Sequence, residues 1–245
     1  MAKILIIGGS GSQLFPIKLN NNPPHETIYG TPSAALSAWA DSTVDQVAFL
    51  PRHGVKINLA PHKVNYRANI QMAKDFCPDW VLSLNAVGAI NSSLAPGTLV
   101  FPDQLIDYTW GRDQTFFDLP NNDLKFIDFT RPYSSKLRKL LRFSADALQL
   151  SYSSAATYGV TQGPRLETAA EIDRMDRDGC DLVGMTALPE TALAREQNLE
   201  YASIAMVVNR AAGRGNTDIH ADIKIYLDEC VSQVIRLINH LIQQV

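Results

Sequence analysis

The sequence predicts an α/β fold, a central mixed β-sheet flanked by helices, and three observations point there. Short apolar runs alternate with longer amphipathic stretches along the chain, the pattern of strands and of helices that cover both faces of a sheet. Hydrophobic residues make up 46% of the 245, enough to bury a substantial core. No repeat, low-complexity segment or linker interrupts the chain, so residues 1–245 are expected to form one domain.

The elements follow in order. Residues 4–7, Ile-Leu-Ile-Ile, make a first strand that Gly8 and Gly9 stop. Further strands are expected at 47–50, 81–84, 99–107, 155–161, 181–184 and 201–208, each a short apolar run. Helices are expected at 63–76, 132–150, 167–177 and 186–197. In the last segment Ile219, Ile223, Leu227, Cys230, Val234, Ile238 and Leu241 recur every three or four residues, a stripe that packs on a core. The Pro- and Asn-rich loops 20–24 and 119–122 are too short to separate domains, and the second follows a cluster running from Tyr108 through Trp110 to Phe117. A long loop of that kind is expected to be functional or to lie at a subunit contact.

Charge narrows the partners. The 22 Lys and Arg against 25 Asp and Glu leave a net charge of −3 and no global positive field, which excludes nucleic acid as the main partner. The first apolar run is far short of the ~20 residues a membrane span needs. Cys77, Cys180 and Cys230 form no CxxC pair and read as reduced, buried thiols of a cytoplasmic protein. His25, His53, His62, His220 and His240 show no metal-binding spacing, so no metal is expected.

Four strand ends carry groups suited to an oxyanion. Gly8-Gly9-Ser10-Gly11 offers backbone N–H groups and a hydroxyl; GxGxxG fails there because position 13 is Gln13. Arg52-His53 follows the strand at 47–50 and supplies a planar fork of donors beside an imidazole. Asn85 and Ala86 end the strand at 81–84, and Met185-Thr186 ends the one at 181–184. Singly, each is equally a turn after a buried strand. Together they point to phosphate or another small oxyanion held without a metal. Glu167 and Asn209 add recognition groups, although alone Glu167 reads as a first-turn helix acid and Asn209 as a strand terminator.

In order, the runs GGSG, LPRHG, PHKVNYRANI, NAVGAI, GPRLET, DLVGMTALPE and YASIAMVVN resemble the methylthioadenosine phosphorylase branch of the trimeric purine nucleoside phosphorylases, over nearly the whole chain. The resemblance implies a single-domain α/β fold, a homotrimer or a dimer of trimers, and a site that borrows residues such as Phe126 or Ile127 from the next subunit. It places the phosphate site on Ser10, Arg52, His53, Asn85, Ala86 and Thr186, and nucleoside contacts on Met185, Asn209, Arg210 and Ala211. Asn85 departs from the hydroxyl residue common in that branch. It assigns catalysis to Asn209, Glu167 and His53, with inorganic phosphate as co-substrate and no cofactor.

The base site departs further. Members acting on 6-aminopurines carry Asp near positions 209 and 211 and a small hydroxyl residue at 167, whereas this chain has Asn209, Ala211 and Glu167, like the 6-oxopurine enzymes. The chemistry agrees: hypoxanthine has an N1–H that a carboxylate accepts and an O6 and N7 that an amide can bridge, while the bare N1 of adenine would meet Glu167 lone pair to lone pair. Such a buried mismatch costs about 1–3 kcal/mol. The implied reaction is phosphorolysis of S-methyl-5′-thioinosine to hypoxanthine and 5-methylthioribose 1-phosphate. The alternatives are an inosine/guanosine phosphorylase, a methylthioadenosine phosphorylase, or a nucleoside-binding regulatory protein that has lost catalysis. Ile219 and Ile223 are expected to wall the 5′-methylthio group, and His220 is either a solvated helix residue or a partner for a 5′-hydroxyl.

Overall fold

The computed structural model describes residues 2–40, 42–55, 58–118, 124–215 and 218–244. Its strands belong to one mixed sheet. Strand β1 (Ile4–Gly8) lies between β4 (Val47–Pro51) and β5 (Trp80–Ala89), parallel to both. Two short strands, β2 (Ile17–Lys18) and β3 (Ser37–Trp39), extend the sheet antiparallel beyond β4. They escape the apolar pattern because two or three residues are too few to show a period.

Strand β1 is apolar throughout because it is covered on both faces. Ile4 and Ile6 face one core with Phe49, Leu82 and Leu84, covered by α2 (Ser135–Ala147) and α5 (Ile219–Gln244). Leu5 and Ile7 face the other with Ala48 and Leu50, covered by α1 (Tyr66–Phe76) and α4 (Glu190–Glu196). The stripe read on the last segment buries Cys230, Val234, Ile238 and Leu241.

Several predicted elements change in ways that shape the site. The strand expected at 99–107 is two, β6 (Leu99–Val100) and β7 (Gln104–Tyr108), divided at Pro102, which has no N–H for the ladder. Strand β6 pairs with the short β8 (Tyr152–Ser153), and β7 with β9 (Thr157–Thr161). The helix expected from 167 is α3 (Ala169–Arg177), because Thr168 forms a capping box with Glu171, leaving Glu167 on the preceding loop. Strand β10 (Leu182–Gly184) leads to Met185 and Thr186, and the helix expected from 186 starts after Pro189, which keeps Thr186 in a loop. Strand β11 (Tyr201–Arg210) runs parallel to β5 with a bulge between Val207 and Asn209, which re-aims Asn209. Cys180 and Cys230 are buried as expected, whereas Cys77 is exposed where α1 ends in a left-handed turn.

Among the described residues no helix is long and apolar enough to cross a membrane, and no group of three or more His, Cys, Asp or Glu is placed to hold a metal.

Candidate active site

The carboxyl-terminal ends of β1, β4, β10 and β11 and the second half of β5 meet around a cavity of about 180 Å³ lined by Ser10, Arg52, His53, Ala86, Glu167, Met185, Thr186, Asn209, Ala211, Ile219 and Ile223. Ligands in open α/β sheets sit at such strand ends.

At its inner end lies Arg52, 1% exposed and wired into the core. Its Nε donates to Glu190 Oε2 at 2.6 Å and its Nη2 to Glu190 Oε1 at 2.9 Å. Nη2 also donates to Ser83 Oγ at 2.8 Å, and Nη1 to the Leu84 carbonyl at 2.9 Å. Burial disfavours the guanidinium charge, and the fully buried Glu190 more than offsets that, so the Arg52 pKa is raised. The positive charge is therefore balanced inside the protein, and Arg52 offers an anion in the cavity a fixed donor rather than a net field. Close approach needs Gly9, where a Cβ would stand 2.8 Å from Arg52 Nη1 and 3.1 Å from His53 Nε2.

His53 has a defined tautomer. Its Nδ1 lies 2.7 Å from the Leu59 carbonyl, an acceptor only, so Nδ1 carries the proton. Burial, and secondly the Arg52 charge, push the His53 pKa below its ordinary value. The neutral ring is thus favoured, with the Nε2 lone pair free to accept a proton from a ligand.

Asn85 sits one step behind the cavity wall, 1% exposed. Its Nδ2 donates to Thr186 Oγ1 at 2.8 Å and its Oδ1 accepts from Ser203 Oγ at 2.7 Å, with Ser83 Oγ, which donates its one proton to Glu190 Oε1 at 2.7 Å, standing 3.1 Å away. Thr186, receiving that proton, has its own O–H left to donate into the cavity. Asn85 is thus not among the residues that line the cavity, and one N–H of its amide sets the direction of the Thr186 hydroxyl.

At the other end stand Asn209 and Glu167. Asn209 Nδ2 donates to the Arg210 carbonyl at 2.6 Å, which fixes the amide's orientation and leaves its second N–H and its oxygen for a ligand. Glu167, half-buried, lies on a loop whose Gly163 has a positive φ of 61°. A Cβ on Gly163 would come within 2.4 Å of Met185 Sδ. Arg112 clamps this loop to the phosphate side: it donates to the carbonyls of Gln162 at 2.8 Å, Met185 at 2.9 Å and Leu188 at 2.6 Å.

Two more expected residues lie off the cavity. Arg210 turns outward to donate to the Asn91 and Ser92 carbonyls, because alternation along β11 sends neighbours to opposite faces. His220 is exposed on the first turn of α5, which presents Ile219 and Ile223 to the cavity instead. The loop 119–122 lies outside the described residues. Sequence reasoning missed Glu190, Ser83, Ser203 and Arg112. Glu190 looks like an ordinary first-turn helix acid, and only its burial reveals its pairing.

Residues 3–243 match the Phosphorylase superfamily. The chain belongs to that family. It is 49% identical over 217 residues, 87% of this chain and 86% of the relative, to a probable S-methyl-5′-thioinosine phosphorylase of Xylella fastidiosa. It is 45% identical to one so described from Xanthomonas campestris pv. campestris, covering 97% of this chain and 96% of the relative. A 6-oxopurine nucleoside phosphorylase of Pyrococcus furiosus is 38% identical, with 97% and 91% covered. The fold is similar to that of a methylthioadenosine phosphorylase from Schistosoma mansoni in complex with tubercidin: TM-score 0.87, 28% identity, covering 100% of this chain and 91% of that one.

Proposed function

We propose that this phosphorylase cleaves S-methyl-5′-thioinosine with inorganic phosphate, giving hypoxanthine and 5-methylthioribose 1-phosphate. The observation that carries the reading is the pairing of Glu167 with Asn209 at one end of the cavity and Arg52, His53 and Thr186 at the other. The relatives described as acting on S-methyl-5′-thioinosine or 6-oxopurine nucleosides support it.

Each group has a task in that reaction. Hydrogen phosphate sits on the Gly9–Ser10 turn, takes donors from Arg52 and Thr186, and gives its own hydroxyl proton to the neutral His53 Nε2. One phosphate oxygen attacks C1′ as the C1′–N9 bond breaks with its electron pair passing to the purine. The anion facing C1′ steadies the positive charge growing there. Glu167 accepts from purine N1–H, and the free N–H of Asn209 donates to O6, where charge accumulates. His53 returns its proton to solvent and the departing purine takes one from solvent at N7, so one proton is lost and one gained and no cofactor or metal is required for balance. Ile219 and Ile223 cover the methylthio end.

We also propose that the protein works in the cytoplasm as a homotrimer. Trp110, Leu124 and Phe126 are 71%, 67% and 91% exposed on the segment after β7, and large apolar side chains left in water mark contact surfaces. Light scattering on the purified protein measures the oligomer directly, and a monomer refutes it.

A panel of methylthioinosine, methylthioadenosine, inosine and adenosine, with and without phosphate, tests the reaction. Phosphate-dependent release of hypoxanthine from methylthioinosine should be fastest. Faster methylthioadenosine cleavage overturns the base-site reading, and faster inosine cleavage favours the second reading, an inosine/guanosine phosphorylase, which the Pyrococcus relative supports. Tight nucleoside binding without phosphate-dependent base release identifies a regulatory protein instead.

A further inference from the structure

Glu167 stands in the wall between two cavities, the substrate cavity and a neighbouring one of about 420 Å³ that is lined also by Thr161 and Trp110. Because Thr168 begins the cap of α3, Glu167 gains nothing from the helix and is carried by a loop. A flexible carboxylate in that position would sample both cavities, and ordering it would oppose base binding.

One contact prevents this. Thr161, at the end of β9, donates from Oγ1 to Glu167 Oε1 at 2.6 Å, with the Gly184 carbonyl the other acceptor at 3.3 Å. A hydroxyl has one proton, and the short bond to a carboxylate is the stronger of the two. Thr161 itself is firmly set: its β-branched side chain is stiff at χ1, and its carbonyl accepts from Arg112 Nη2 at 3.2 Å. The anchor is thus a strand tied to the site's own clamp, and the carboxylate it holds keeps Oε2 for the ligand.

We infer that Thr161 is the positioning residue for purine selectivity, holding Glu167 by Oε1 so that Oε2 meets the N1–H of a 6-oxopurine. Thr161 does not touch the base and acts only through Glu167. The inference rests on the proposed reading of Glu167 as the group that meets N1.

Thr161→Val keeps the shape and removes the proton. It should lower kcat/KM for methylthioinosine about tenfold, the scale of a lost hydrogen bond to a charged group, and leave methylthioadenosine cleavage and the KM for phosphate unchanged. Thr161→Ser should stay within about threefold of the parent on the same scale, and Thr161→Ala serves in place of the Val variant if that one does not fold. In a Glu167→Ala background, which has no acceptor for Thr161, Thr161→Val should cost nothing further. The inference is overturned if Glu167→Gln collapses the oxo/amino ratio while Thr161→Val and Thr161→Ala leave it intact, or if Thr161→Val slows all substrates alike and raises the phosphate KM. An unchanged ratio in Glu167→Gln refutes the base-site reading itself, and this inference with it.

Discussion

The two ends of the cavity are built differently. The phosphate end is made of residues from the central strands, and its side chains continue into a fully buried network: Arg52 to Glu190, Glu190 to Ser83 and Tyr201, Ser83 to Asn85, Asn85 to Thr186. The base end depends on a half-buried carboxylate on the loop before α3, held by Thr161 and, through the loop backbone, by Arg112. The difference teaches where change is tolerated. A buried ionic network leaves uncompensated charge when one member is removed, whereas a loop carboxylate at the rim can be exchanged with little cost to the fold. On the proposed reading, reaction chemistry is thereby tied to stability, and base selectivity is free to vary.

Four perturbations test that contrast, the largest first. Glu190→Gln should strand the Arg52 charge in the core and destabilise the protein by about 3–5 kcal/mol, read as a fall in the midpoint of urea unfolding. A midpoint within error of the parent would show that the pair does not hold the phosphate end together. Glu167→Ser combined with Asn209→Asp should shift the ratio of kcat/KM values toward methylthioadenosine by about tenfold to a hundredfold with hardly any change in unfolding midpoint. If selectivity stays put in the folded double variant, it lies elsewhere.

Asn85→Ala should raise the KM for phosphate by about tenfold, the scale of one lost hydrogen bond in a buried site, with the nucleoside KM nearly unchanged. An equal rise in both constants would mean that the network serves the whole cavity. The smallest effect concerns pH. His53 has a folded pKa below the ordinary 6.5, so below that pH the unfolded chain binds the extra proton first. Stability should therefore fall as pH drops from about 6.5 toward the lowered value. Urea unfolding between pH 5 and 7.5 should show a shallower slope for His53→Gln, and identical slopes would refute a buried neutral imidazole.

Much of this was legible in the chain. The runs at 4–7, 47–50 and 201–208 are strands because their apolar residues serve two faces at once, and polar residues that follow them, Ser10, Arg52, His53 and Asn209, line the cavity. Glu167 and Asn209 stand out because a carboxylate and an amide are chemically distinct from what aminopurine enzymes carry at those places. The helix starts misread at 167 and 186 were decided by a cap and a proline, local signals outvoted by apolar periodicity. Arg210 stands off the cavity, and His220 takes the solvated of its two readings, because neighbours on a helix or strand point different ways, so one residue of register decides which enters the site.

By itself the sequence determined the longer strands of the sheet and the kinds of polar group that follow them, since these depend on residue type and short-range order, although Asn85, read as ending a strand at 84, lies within β5. Only the tertiary structure decided the electrostatics. Arg52 and Glu190 are 138 residues apart in the chain and meet at 2.6 Å, and Asn85 lies 101 residues from the Thr186 it orients. Charge compensation and hydroxyl direction depend on distance through space, which the order of residues does not state until the strands are packed.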